Sequence, residues 1–415
     1  MPASAIDIAC VNTIKGLSMD AVQKANSGHP GMPMGCADMA YVLWTRFLKH
    51  DPADPKWADR DRFVLSAGHG SMLLYSLLHL TGYGLPLEEL RNFRQWGSRT
   101  PGHPEVGHTV GVETTTGPLG QGFANGVGMA LSERYLRTHF GEELVNHHIY
   151  AIVSDGDIME GIASEAASLA GHLKLGKLVY LYDDNSITID GSTDISFTED
   201  RAARFEAMGW HAQTIDGHDH DAIAAAIIAG REETEKPSII CCRTHIGHGS
   251  PNKQGSSSSH GAPLGAEEIV LTKKGLGMDP EQHFYVSDEV RAHFAKSTAL
   301  NQVSRMEWEH RLKSSEKAEE FATWHAPVDI DAIDWPEFEA GGSIATRKAS
   351  HKALNAAAAA VPQLLGGSAD LAGSNGSLLT GEGFISADNF NARNLTFGVR
   401  EHAMASMCNG MALHG

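Results

Sequence analysis

The amino-acid sequence predicts an α/β protein built on doubly wound, mostly parallel sheets with helices on both faces. Three observations carry this. Short apolar runs alternate with amphipathic stretches from 148 to 243, the pattern of successive βαβ units. A similar alternation starts again near Ile344. Asp155 and Asn185 each follow directly on an apolar run (Ile149 to Val153, Leu178 to Tyr182). That places both at the carboxyl ends of strands, where open α/β sheets bind ligands.

In chain order, Ile6, Val11, Ile14, Leu17, Met19 and Val22 form an irregular helical stripe that predicts a helix over 6–26. A second helix is expected over 35–48 and a short strand over Arg62–Ser66, followed by the glycine-bounded His69. Helices are expected over 70–80, 86–94 and 119–139. Then come strand 148–154, helix 160–173, strand 177–183, helix 199–208, strand 211–215, helix 219–233 and strand 238–243. Residues 244–265 are rich in Gly, Ser and His and too long for a simple connector, which points to a functional or mobile loop. Residues 287–321 read as a charged helical extension of a first domain, 1–321. Pro327, Pro336 and paired glycines mark a linker over 322–342. A second α/β unit, 343–415, begins with helix 344–360, strand 363–368, strand 394–398 and a helix from Glu401.

Composition excludes several classes. A net charge of −18 argues against non-specific nucleic-acid or anionic-membrane binding, so a site for an anionic substrate would need local cations; the 23 His are a large supply. The five Cys are few and irregularly spaced, without a C-x-x-C pattern; Cys241 and Cys242 sit in an apolar run as core thiols. A reducing, cytoplasmic location is expected, since no signal peptide is evident and the longest apolar runs are too short to span a bilayer.

The chemistry concentrates in a few segments. On its own, Asp-Gly at a strand end reads as a turn. Paired with Asn185, Asp155 reads as a hard-cation site that leaves positions open for phosphate oxygens. Three histidines lie in tight Gly/Pro loops: His29 in Ser27-Gly28-His29-Pro30-Gly31, His69 in Gly68-His69-Gly70 and His103 in Gly102-His103-Pro104. Glycine lets backbone approach a ligand closely, and imidazoles donate to phosphate or hydroxyl oxygens and move protons near neutral pH. A lone histidine is more often structural; three in such loops, with His260 behind a serine run, are harder to dismiss. His245 and His248 rank lower. Gly117-Pro118-Leu119-Gly120-Gln121-Gly122 opens a long helix, where backbone groups can meet an anionic cofactor.

Taken in order, these motifs resemble the transketolase family of thiamine diphosphate enzymes. Ala345-Thr346-Arg347-Lys348, Gly367-Ser368-Ala369-Asp370-Leu371 and Gly398-Val399-Arg400-Glu401-His402-Ala403-Met404 extend the resemblance through essentially the whole chain. The family usually has Gly-Asp-Gly where this chain has Ser154-Asp155-Gly156, a small departure because the ligand is the Asp. The resemblance implies that Asp155, Asn185 and the Ile187 carbonyl hold Mg²⁺ (or Ca²⁺ or Mn²⁺). It implies that His69, Gly156 and His260 meet the diphosphate and that Gly117 and Leu119 contact the ring side of the cofactor. Glu401 would bond the aminopyrimidine nitrogen. His29, His103 and His260 would line the sugar channel, and Arg347 and Ser374 would hold the sugar phosphate. Glu160 and Glu165 would lie at a homodimer interface near the partner's Glu401 region, with active sites built from both subunits.

The implied activity is transfer of a two-carbon ketol unit from a ketose phosphate to an aldose phosphate. A dihydroxyacetone synthase-like relative and an inactive fragment that keeps the fold are the alternatives. The resemblance further implies residues beyond Gly415, including the rest of the pyrimidine-binding domain and a C-terminal domain, so a longer parent polypeptide is expected.

Overall fold

The computed structural model describes residues 3–415. Its central sheet consists of β1 (Arg62–Leu65), β2 (Ile149–Ser154) and β3 (Leu178–Asp184), followed after a small antiparallel hairpin, β4 (Ile187–Thr188) and β5 (Gly191–Ser192), by β6 (His211–Asp216) and β7 (Ser238–Arg243). The five long strands run parallel in the order β1-β2-β3-β7-β6. Register aligns Ile149 with Leu178 and Val179 with Ser238, so the carboxyl ends of β2, β3 and β7 finish together around Ser154, Asp183 and Cys242.

Side-chain alternation divides the protein into two cores, one on each face of the sheet. Tyr150, Ile152, Val179, Leu181, Ile240 and Cys242 pack into one cluster. Ile149, Ala151, Val153, Leu178, Tyr180, Tyr182, Ile239 and Cys241 pack into the other. A strand buried on both faces must be apolar at every position, which is why these strands read as continuous apolar runs. The first face is covered by helices Ala5–Ala25, Ala37–Arg46, Ser71–Leu80 and His220–Glu232. The second is covered by Gln121–Phe140, Gly161–His172 and, from the end of the chain, Glu401–His414.

Several boundaries differ from expectation, each for a local reason. The expected helix 35–48 runs from Ala37 to Arg46, and an unanticipated short helix, Gly31–Gly35, precedes it across Cys36. The helix expected from 160 is preceded by a one-turn helix, Asp155–Met159. Ser154 caps that turn and Asp157 reciprocates, a capping box that replaces the expected loop and sets Asp155 at a helix start. Helix Ala266–Gly275 had no clear apolar stripe and was not anticipated. The charged extension is one long helix, Asp288–Ser314, anchored by Val290 and Phe294 in the first core and Trp308 in the second. Helix Ala318–Trp324 runs into the segment expected as linker. Beyond it, strands β8 (Gly366–Ser368) and β9 (Asn394–Thr396) pair in parallel as a second small sheet. All five cysteines are free, and four of them, including Cys241 and Cys242, are buried. Among the described residues no helix is long and apolar enough to cross a membrane.

Candidate active site

A cavity of about 510 Å³ opens at the carboxyl ends of β2 and β3, a size that suits a small-molecule or cofactor site. Ten of the fourteen residues singled out from the sequence line it: His29, His69, His103, Gly117, Leu119, Asp155, Gly156, Asn185, Ile187 and His260.

The acidic end is built by Tyr182 and Asp183 of β3 and by Asn185 just past its end. Tyr182 donates its hydroxyl to Asp155 Oδ1. Asp183 is buried and accepts the Thr244 hydroxyl and, at 2.8 Å, Asn185 Nδ2. Asn185 Oδ1 accepts the Ile187 N–H at 2.9 Å, closing the turn into the β4–β5 hairpin. Asp155 Oδ2 is buried and has no partner. Burial pushes the Asp155 carboxyl up to about 7, against the Tyr182 hydrogen bond and with the added repulsion of Asp183 and Asp184. A buried carboxylate oxygen without a donor is costly. A divalent cation placed there would satisfy it, so the residues present fit a bound metal.

Ser154 takes part in this arrangement without disturbing it. Its N–H and hydroxyl both donate to Asp157 Oδ2 at 2.9 Å. The other Asp157 oxygen accepts Ser66 Oγ at 2.7 Å and the Gly120 N–H at 2.8 Å. One buried carboxylate thus ties the ends of β1 and β2 to the Gly117–Gly122 turn. The sequence reading missed Asp157; the Ser-x-x-Asp spacing of a capping box was the available signal.

The histidines converge from three loops. Ring centroids of His29 and His69 lie 5.2 Å apart, His69 and His260 5.2 Å, and His29 and His260 5.8 Å. Gly31 permits this: a Cβ there would stand 2.5 Å from the Ser259 carbonyl oxygen and 2.6 Å from Ile246 Cγ1, forcing the His260 loop away. Burial first, then the neighbouring His260, Arg94 and His103, holds His29 down at about 4. Burial and the other three histidines hold His69 at about 3. His103 and His260 are lowered by burial as well. The cluster is therefore uncharged at neutral pH, each ring offering one donor and one acceptor. His260 Nδ1 is buried without a partner, an open position for a ligand.

Glu160, Arg347, Ser374 and Glu401, the remaining four, lie outside this cavity, as does Glu165. Glu401 is exposed at the start of helix Glu401–His414. Glu160 is exposed, and Glu165, expected near the partner's Glu401 region, accepts the Ala403 N–H of its own chain at 2.9 Å. Arg347 and Ser374 are exposed neighbours, Arg347 Nη1 lying 3.4 Å from the Ser374 carbonyl oxygen.

His248 belongs to a different cluster, with Asp38, His218 and His220. Asp38 accepts His218 Nδ1 and His220 Nε2 at 3.0 Å, and Lys15 Nζ lies 2.9 Å from His248 Nδ1. The spacing of Asp38, His218 and His248 could hold a metal ion. However, the His245 backbone N–H donates to His218 Nε2, which leaves the His218 proton on Nδ1, the nitrogen a metal would need. Lys15 Nζ, 3.5 Å from Asp38 Oδ2, already supplies a cation to this carboxylate.

The fold and the site define the chain as an α/β protein of the thiamine diphosphate-binding class. Residues 6–328 match the transketolase thiamine diphosphate binding domain and residues 342–415 the transketolase pyrimidine binding domain, and the chain belongs to the transketolase family. It is 54% identical over 422 residues to a transketolase of Halalkalibacterium halodurans, covering 99% of this chain and 63% of that protein. It is 53% identical to one of Geobacillus stearothermophilus, covering 64% of it. A Campylobacter jejuni transketolase crystal structure superposes with a TM-score of 0.96 at 43% identity, over 99% of this chain and 64% of that one. A Pichia stipitis transketolase in complex with sedoheptulose 7-phosphate superposes with a TM-score of 0.95 at 41% identity, over 99% of this chain and 63% of that one. The chain thus spans just under two thirds of the length of these relatives.

Proposed function

We propose that the chain carries the cofactor-binding part of a cytoplasmic transketolase, with a diphosphate-binding domain (1–321), a linker (322–342) and a pyrimidine-binding unit (343–415). The reaction is reversible transfer of a two-carbon ketol unit from a ketose phosphate such as xylulose 5-phosphate to an aldose phosphate such as ribose 5-phosphate. That reaction serves the pentose phosphate pathway or the Calvin cycle. One observation supports this reading above the others: a buried carboxylate with an open oxygen, Asn185 and three contacting histidines share one cavity at the strand ends.

Asp155, Asn185 and the Ile187 carbonyl would hold Mg²⁺, with Ca²⁺ or Mn²⁺ as substitutes. His69, Gly156 and His260 would meet the diphosphate, and Gly117 and Leu119 the ring side. Thiamine diphosphate, when bound, supplies the nucleophilic carbon and the electron sink for breaking and forming the carbon–carbon bond. His29, His103 and His260, being uncharged, can donate to a sugar carbonyl or hydroxyl and accept a proton in return. Arg347 and Ser374 would hold the sugar phosphate at the channel mouth.

The exposure of Glu401, outside the cavity of its own chain, supports a homodimer. In it Asp155 and Asn185 of one copy work with Glu401 of the other, with Glu160 and Glu165 nearby. Glu401→Ala is expected to keep thiamine diphosphate affinity within about threefold and to lower ketol transfer by about a hundredfold or more. Titration calorimetry and a coupled assay with ribose 5-phosphate, and with formaldehyde as rival acceptor, check both halves. Unchanged turnover removes Glu401 from the mechanism. Faster transfer to formaldehyde would point to the dihydroxyacetone synthase-like alternative.

A further inference from the structure

Arg94 carries none of the roles above, yet it clamps two of the histidine loops. Its backbone is left-handed, at φ 61°, an unfavourable conformation for arginine. Its N–H donates to the Thr100 carbonyl at 3.0 Å, which holds the turn. The guanidinium then lies against the loop of His103: a Cβ on Gly102 would be 3.0 Å from Arg94 Nε and 3.3 Å from Cζ. Nη1 donates to Ser27 Oγ at 2.8 Å, and Nη2 reaches His29 Nδ1 at 3.5 Å. Nε is buried without an acceptor. A left-handed backbone and an unpaired buried N–H are both unfavourable in themselves, so packing alone gives no reason for an arginine here.

We propose that Arg94 is a positioning residue for the pocket histidines: its N–H on His29 Nδ1 keeps the His29 proton on Nε2, and its fixed charge adds to burial in disfavouring a second proton on His29 and on His103 beside an entering sugar phosphate. Only the nature of the entering ligand rests on the ketol-transfer reading; the effect on His29 does not. A guanidinium is permanently charged, so it disfavours imidazolium at any working pH. The groups that face His29 are Arg94, His103, His260 and His69, and of these Arg94 alone carries a permanent charge. His103 is faced by Arg94, whose charge lowers its pKa, and by Glu105, whose charge raises it.

The test is nitrogen-15 NMR of the histidine-labelled chain over a pH titration, with His29 assigned from a His29→Gln variant. Wild type should show His29 protonated on Nε2 and uncharged down to about pH 5. Arg94→Gln should mix the two tautomers and raise the His29 midpoint by about one pH unit. Arg94→Lys keeps the charge without the fork, so it should leave the midpoint near wild type while still mixing the tautomers. An unchanged tautomer and midpoint in Arg94→Gln overturn the proposal; if that variant does not fold, an unmixed tautomer in Arg94→Lys does so. Ketol transfer is measured alongside. Absence of transfer by wild type, with the His29 changes present, would favour the inactive-fragment alternative and leave the positioning role standing.

Discussion

Replacing Asp155 with asparagine is expected to weaken Mg²⁺-dependent binding of thiamine diphosphate at least about a hundredfold while making the metal-free chain harder to unfold. The two effects have one origin. Asp155 is 3% exposed, its Oδ1 takes the Tyr182 hydroxyl and its Oδ2 takes nothing. Without a cation the site buries a charge that only one hydrogen bond supports. The carboxyl therefore titrates near 7, raised from 3.8 chiefly by burial. A raised carboxyl stabilises the native state fully only below its unfolded value and loses that contribution as pH climbs through about 7. Above pH 7 the ionised group costs the fold on the order of 2 kcal/mol after relaxation. Asparagine keeps the shape and the acceptor for Tyr182 but removes the charge, so the gain should be largest at alkaline pH and small near pH 4. Calorimetric titration with cofactor and Mg²⁺, and urea unfolding at the two pH values without metal, check the pair of signs. A variant that binds as tightly as wild type would remove Asp155 from the metal site. One that unfolds more easily would make the carboxylate a structural group.

How much of this was legible in the sequence depends on how local the signal was. Strand β7 was expected over the residues it occupies because a strand buried on both faces announces itself as an apolar run between polar turns. The pairing of Asp155 with Asn185 was legible because strand-end position follows from the same runs. Helix Asp155–Met159 was not, since a five-residue turn has no periodicity and only its cap marks it. The roles of Tyr182 and Asp183 were hidden inside a strand, where polar side chains carry no positional signal. The support around Asp38 joins residues 15, 38, 218, 220 and 248, which only the packing of helices on the β6 and β7 ends brings together. Arg94 escaped for a related reason: its importance lies in a left-handed turn that its own side chain does not favour.

The second large effect is expected where helix Gln121–Phe140 crosses helix Glu401–His414. The two backbones touch. A Cβ on Gly128 would lie 2.1 Å from the Met407 carbonyl oxygen, and one on Gly410 would lie 2.0 Å from that of Asn125. Neither neighbour is a flexible side chain, so any larger residue must push the helices apart. The crossing also carries Asn125 Nδ2 to Ser406 Oγ at 3.1 Å, Gln121 Nε2 against His402 Nε2 at 2.9 Å, and the fully buried Ala403 and Met407. Gly128→Val should therefore undock the second helix, at a cost of about 3 kcal/mol or more from lost packing and exposed apolar surface. Hydrogen exchange should show amides 401–414 losing protection. Cofactor and Mg²⁺ affinity should stay within about threefold, because the cavity shares no residue with this contact. Gly161→Ala, where a Cβ would meet nothing, is the control and should change none of these. Retained protection over 401–414 in Gly128→Val would show that the helices can separate without undocking. Glu401 is the first residue of the undocked helix, so the proposed presentation of its carboxylate to a neighbouring chain requires this glycine-to-backbone contact to hold. On the proposed reading, ketol transfer should accordingly fall with the protection of residues 401–414 and not with cofactor affinity.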